Sequence, residues 1–215
     1  MKKIMFSDKY GLTQAVLEGR KTQTRRIAAI QPPNKNSEIC IPVYILLEDE
    51  PEKHPLWLAY CWRNKDNPEE LTPWIKPKYK EGEVVAIAQS YESVYHECGL
   101  ETMDMLVSSL KHSAGWTSKM FVRADLMSHR IRITKVRIQR LQNISDDDCL
   151  AEGIKRIVTD DGTSRYYVAG GSKGYDLYAT DSAKDAYAFL INRISGKGTW
   201  ESNPYVWVYE FELVK

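Results

Sequence analysis

Residues 130–141 run Arg130-Ile131-Arg132-Ile133-Thr134-Lys135-Val136-Arg137-Ile138-Gln139-Arg140-Leu141, cations alternating with apolar side chains, as in a long strand with one buried face. The apolar phase is Ile131, Ile133 and then Val136, Ile138. Because side chains alternate with a period of two, this change of parity across Thr134-Lys135 predicts a bulge or bend there. Downstream, Ser145-Asp146-Asp147-Asp148 has the form of a helix start, a capping hydroxyl followed by acids that favour the positive end of the dipole. Gly153 is its stop, which puts Glu152 at the C-terminal end of a short helix. The chain closes on Tyr205-Val206-Trp207-Val208-Tyr209-Glu210-Phe211 as a strand.

Upstream, Glu83 to Ala88, entered through the turn Lys80-Glu81-Gly82, reads as a strand buried on both faces, and Lys2 to Phe6 as a short opening strand. Ser7 or Asp8 is the expected cap of a helix with Leu12, Ala15 and Val16 at helical spacing, ending at Gly19. Met103 to Lys111 and Asp181 to Ile194 read as helices, Asp160-Asp161-Gly162 as a hairpin turn, and Gly170-Gly171-Ser172-Lys173-Gly174 as a flexible loop. Residues 28–80 hold most of the prolines, three of the six tryptophans and short apolar runs such as Ile39 to Ile45, as in a loop-and-hairpin insertion. Scattered strands with short helices and no repeated strand–helix alternation predict an α+β, mainly β fold, with a mixed barrel-like sheet rather than a doubly wound one.

With 215 residues, 43% hydrophobic and 27% charged, the composition is that of a globular chain and excludes wholesale disorder, collagen and coiled coil. A chain of this length buries about 70% of its unfolded surface, enough for a core without staples. No apolar run reaches membrane-spanning length and the N-terminus turns polar too early for a signal peptide, so a cytoplasmic protein with no membrane partner is expected. Cys40, Cys61, Cys98 and Cys149 form no CxxC pair and read as reduced thiols, and neither a metal site nor a cofactor is expected. A net charge of +1 makes no global case for nucleic acid, so the distribution of charge decides.

Two segments concentrate it. In Gly19-Arg20-Lys21-Thr22-Gln23-Thr24-Arg25-Arg26, four cations and two threonines follow a helix directly. This is either a solvated basic turn or a reactive one, in which Lys21 as general base activates Thr24 as nucleophile, like the Ser–Lys variants of hydrolases. Glu152 is a candidate third group to orient the amine or shuttle a proton. From Lys119 to Arg140, seven cations stand against Asp125 alone, a stripe that suits phosphates or, equally, guards an exposed strand against pairing. The glycine clusters at 170–174 and 196–199 lack phosphate-loop spacing, and His96-Glu97-Cys98 lacks the partners of a zinc deaminase.

In this order the motifs resemble an ASCH domain, one of the small PUA-like β-barrel proteins. Leu17 to Arg26 is similar to the family's basic loop after the first helix, Tyr79 to Val85 to its Gly-Asp strand entry, Ile144 to Gly153 to its helix ending in glutamate, and Trp207 to Phe211 to its closing strand. The resemblance runs from residue 2 to residue 212. It implies one PUA-like domain over 1–215, a mixed β-barrel with short peripheral helices and insertions at about 28–80, 94–118 and 155–180. The ending from Gly196 to Trp207 resembles that of longer members often encoded by phages and prophages.

The resemblance implies recognition of a nucleobase, nucleoside or RNA in a basic cleft. One bacterial branch of the family is an amidohydrolase of N4-acetylcytidine, and its active-site positions match Lys21 as base, Thr24 as nucleophile and Glu152 as shuttle or orienter. Arg25 stands where that branch has an apolar residue. The alternative is a non-catalytic RNA- or modified-DNA-binding module using Arg20, Arg25, Arg26, Lys119, Arg130 and Arg132. A third option is an interaction protein whose Trp-rich 55–75 segment docks a partner.

Overall fold

The computed structural model describes residues 1–40, 60–98, 104–170 and 176–214. The chain enters on β1 (Lys3–Ile4), makes one 3-10 turn at Asp8–Tyr10, and passes through helix α1 (Leu12–Leu17) to β2 (Gln23–Ile27). A hairpin of β3 (Ser37–Cys40) and β4 (Cys61–Asn64) follows, then β5 (Val84–Ile87), α2 (Tyr91–Cys98) and α3 (Asp104–Lys111). Next come β6 (Arg130–Arg140), α4 (Asp146–Ala151), and β7 (Lys155–Val158), β8 (Ser164–Ala169) and β9 (Asp176–Thr180). The chain ends through α5 (Ala183–Ser195), α6 (Thr199–Ser202) and β10 (Tyr205–Val214).

Five strands form the main sheet in the order β1-β5-β6-β10-β2, with β1 parallel to β5 and the other pairs antiparallel. The parity change in residues 130–141 is a bulge. Lys135 pairs with Glu210 and Ile133 with Phe211, so Thr134 is the extra residue that returns Val136 to the buried face of Ile131 and Ile133. The mixed α+β class is observed, but strand and helix occupy similar shares, so "mainly β" overstates the sheet. Nor is the sheet closed: among the described residues β1 and β2 are its two edges and no pairing joins them.

Strand β10 is buried on both faces from Val206 to Tyr209, because each face has its own cover. Val206 and Val208 belong to the core with Ile131, Leu141, Ile144 and Leu190, the last from α5, which packs against α4, β8 and β9. On the hairpin side, Tyr60 meets Trp207 at 5.2 Å between ring centroids and Trp62 meets Tyr205 at 4.5 Å. Trp62 of the Trp-rich segment is thus a core residue, while Trp74 is exposed. Each large ring so buried contributes about 1.5–3 kcal/mol. A smaller cluster of Ala86, Ala88, Tyr91, Val122 and Met127 underlies α2.

Two local expectations differ in detail. The basic segment 19–26 is not all loop, since Gln23 onward is strand β2 and Thr24 pairs with Tyr209. Neither Ser7 nor Asp8 caps α1, because the 3-10 turn intervenes and Gly11, at φ +62°, precedes the helix; Ser7 makes no side-chain cap. Of the run Ile39 to Ile45, Ile39 and Cys40 are strand; the rest of it, Met103 and Gly171 to Gly174 lie outside the described residues. Among the described residues no helix is long and apolar enough to cross a membrane.

Candidate active site

Lys21 leaves α1 on a fixed path. Its N–H donates to Ala15 O, and the N–H of Thr22 donates to Ala151 O, each at 2.9 Å, tying the start of β2 to the ends of α1 and α4. Helix α4 starts as its sequence demands, with the N–H of Asp148 donating to Ser145 Oγ at 3.1 Å. It ends at Glu152, turned back by Gly153 at φ +104°. At that φ a side chain is strained, and a Cβ on Gly153 would also stand 3.1 Å from Leu12 Cδ2, which would have to give by a few tenths of an ångström, while 3.6 Å from Lys21 Cδ is ordinary contact. Gly153→Ala is expected to lose about 1–3 kcal/mol of stability in urea unfolding.

The two chain segments meet in a buried ion pair. Lys21 Nζ donates to Glu152 Oε2, to Glu152 O and to Gln23 O, each at 2.7 Å, and the lysine is 2% exposed. All three ammonium protons are therefore used. Burial pushes the Lys21 pKa down from its ordinary value, against the opposing pull of the Glu152 carboxylate.

Arg25 lies on the same side of β2, its side chain fully buried. Its Nη1 donates to Glu152 Oε1 at 3.1 Å and to Gln23 Oε1, and its Nη2 donates to Asp148 Oδ2 at 2.7 Å. Arg137 continues the row, bonding Asp148 at 3.5 Å and also Glu210. Lys21, Glu152, Arg25, Asp148, Arg137 and Glu210 so form one line of alternating charge. Burial alone would raise the Asp148 carboxyl, but Arg25, the Gln23 amide and Arg137 outweigh it and hold its pKa below the usual range. Among the described residues Arg25 Nε has no partner.

This pair floors an open cavity of about 360 Å³ that is also lined by Thr24, Arg26 and Tyr187. Met5, Ile27 and Ile194, exposed in part, give it an apolar rim. No described residue hydrogen-bonds the Thr24 hydroxyl, which is not bonded to Lys21 Nζ either. Tyr187, with its ring centroid 5.9 Å from Arg25 Cζ, has a pKa raised well above its ordinary value by burial, so its phenol keeps its proton. Nothing local in the sequence singles out Tyr187, since its position on α5 does not signal that a cavity opens beside it.

Lys21, Thr24, Glu152, Arg25 and Arg26 are thus brought together. The other expected contacts are not. Arg20 pairs with Glu18 at 2.7 Å at the surface, beside a separate cavity of about 510 Å³. Lys119 Nζ donates to Phe6 O and Asp8 Oδ1 at 2.6 Å and to Thr13 Oγ1 at 3.0 Å, anchoring the 3-10 turn before α1. Arg130 and Arg132, on β6, pair with Val214 and Glu212 of β10 and do not line the cavity. Comparison of the chain with protein-family models, with curated proteins and with solved structures finds no match.

Proposed function

We propose that this is an ASCH-type protein of the PUA-like kind that recognises a nucleobase, nucleoside or RNA in the cleft floored by Lys21, Thr24 and Glu152. Its more specific activity is hydrolysis of the N4-amide of an acylated cytidine. The observation that carries this is the buried Lys21–Glu152 pair beside an uncommitted Thr24 hydroxyl in one open cavity, whose volume lies within the range of small-ligand sites.

The chemistry starts from the free amine of Lys21, whose charged form burial disfavours, held in place by the Glu152 carboxylate. The amine takes the Thr24 proton as Oγ attacks the acyl carbon, and the Tyr187 phenol can donate to the oxyanion that forms. Collapse breaks the C–N4 bond; N4 leaves as the free amine with the proton from Lys21, and the acyl group stays on Thr24 as an ester. Water, deprotonated by the same amine, attacks the ester. Thr24 is restored with that proton, the carboxylic acid departs, and Lys21 is again the free amine. The Lys21–Thr24 contact tightens when ligand is bound, as catalytic contacts commonly do.

Purified protein incubated with N4-acetylcytidine is expected to release cytidine faster than Lys21→Ala at saturating substrate. Equal rates would sink the hydrolase. The alternative, non-catalytic binding of RNA or modified DNA, draws support from Lys21 Nζ, whose three protons all go to Glu152 and Gln23 and none to Thr24. It predicts nucleic-acid binding that weakens steeply with salt and no turnover.

A further inference from the structure

In the hairpin of β3 and β4, Cys40 pairs directly with Cys61 across the antiparallel ladder. Residues so opposed lie about 4.5 or 5.5 Å apart at Cα, depending on whether the pair exchanges hydrogen bonds, and their side chains leave on the same face. Both spacings fall within the range of about 4.4–6.8 Å that a disulfide spans. The structure holds the two as free thiols.

Their register is pinned from both faces of the hairpin. Ile39 and Trp62, the adjacent pair, point the other way and pack into the main core, with Trp62 against Tyr205 of β10. On the thiol face, two positions along, Arg63 Nε donates to Glu38 Oε1 at 2.8 Å. A slip of one residue would turn Trp62 out of the core and part this ion pair, so the thiols are kept opposite each other. They differ in access. Cys40 is half-buried, whereas Cys61 is buried, and burial pushes the Cys61 thiol pKa up, the neighbouring Cys40 sulfur adding to the rise and Arg63 opposing it. Cys149, on α4, is also buried, and its pKa is pushed up to about 12 by that burial, which keeps it protonated.

We propose that Cys40 and Cys61 form a redox modification site, which a low-molecular-weight disulfide such as oxidised glutathione converts into an intramolecular bond fastening β3 to β4. The Cys40 thiolate attacks one sulfur of the reagent, and one glutathione leaves as its thiolate. Cys61 then attacks the Cys40 sulfur of this mixed disulfide and expels the second glutathione. Two protein thiols are oxidised, one reagent disulfide is reduced, and the two thiol protons pass to the two glutathiones. The site stands whether or not the cleft binds a nucleoside.

The test is to incubate folded protein with oxidised glutathione, alkylate the remaining thiols and map the peptides by mass spectrometry. A Cys40–Cys61 linked peptide is expected to dominate, to disappear after dithiothreitol, and to leave Cys149 alkylated. Cys61→Ala is expected to stop at glutathione on Cys40, and Cys40→Ala to leave Cys61 unmodified. Folded parent protein in which both thiols remain alkylatable, or in which Cys40 carries glutathione without passing on to Cys61, would overturn the inference. Linkage of either thiol to Cys98 or Cys149 would do the same. The linked protein is expected to need more urea to unfold than the reduced one, since the bond closes the chain from 41 to 60 into a ring. A lower midpoint would show that the native pair does not fit a disulfide and would also overturn it.

Discussion

Arg25→Leu is expected to unfold at about 3 kcal/mol lower free energy than the parent protein, because removing one member of a buried charge network leaves the others uncompensated. The side chain is fully buried and joins Glu152 to Asp148. Without it Glu152 Oε1 faces the interior unpaired, while Asp148 keeps Gln23 and Arg137. Lysine would not substitute, since one ammonium cannot span both carboxylates in the geometry of a guanidinium. Urea unfolding measures the difference, and Glu152→Gln in the Arg25→Leu background is expected to recover part of the loss. A loss below about 1 kcal/mol would show that the row of charges contributes little to folding.

Acid sharpens the same test. The Asp148 pKa is lowered in the folded state, so its contribution is fully present above the ordinary carboxylate value and is lost as pH falls through the lowered folded value. The parent protein should lose stability over that acid window more steeply than Arg25→Leu, which has already lost the main cation responsible.

Thr24→Val is expected to lower turnover of N4-acetylcytidine at least about a thousandfold, in line with removal of a catalytic nucleophile. The substitution keeps the branched shape of a buried strand residue and removes a hydroxyl that no described residue binds, so stability should change little. Lys21→Met is expected to cost as much turnover and also to destabilise, since Glu152 loses a partner at 2.7 Å. If Thr24→Val kept a tenth of the activity, water would be attacking directly and the nucleophile assignment would fail. Because burial lowers the Lys21 pKa, the rate should rise with pH through that lowered value as the free amine becomes available.

Features set by neighbours in the chain were legible in the sequence. The bulge at Thr134 follows from parity, the start of α4 from Ser145 ahead of three acids, and its end at Glu152 from Gly153. Such signals work within one turn or one strand, where few competing contacts exist. Expectations that required knowing what covers a surface fared differently. Arg25 and Lys119 read as outward cations because charge runs are ordinarily solvated, yet one is sealed between two carboxylates and the other anchors the turn before α1. The pattern of the closing strand does not say that both its faces are buried.

By itself, then, the sequence determined the bulged strand β6, the two ends of α4, helix α5 and the closing strand β10, because periodicity, caps and glycine stops act locally. Tertiary structure alone decided that the main sheet is open among the described residues and that Arg25 clamps Glu152. It alone brought Tyr187 to the cavity of Lys21 and Thr24. These depend on β2 pairing with β10 and on α4 and α5 packing together, contacts between residues more than thirty to nearly two hundred positions apart, and no local pattern encodes which cation will meet which carboxylate.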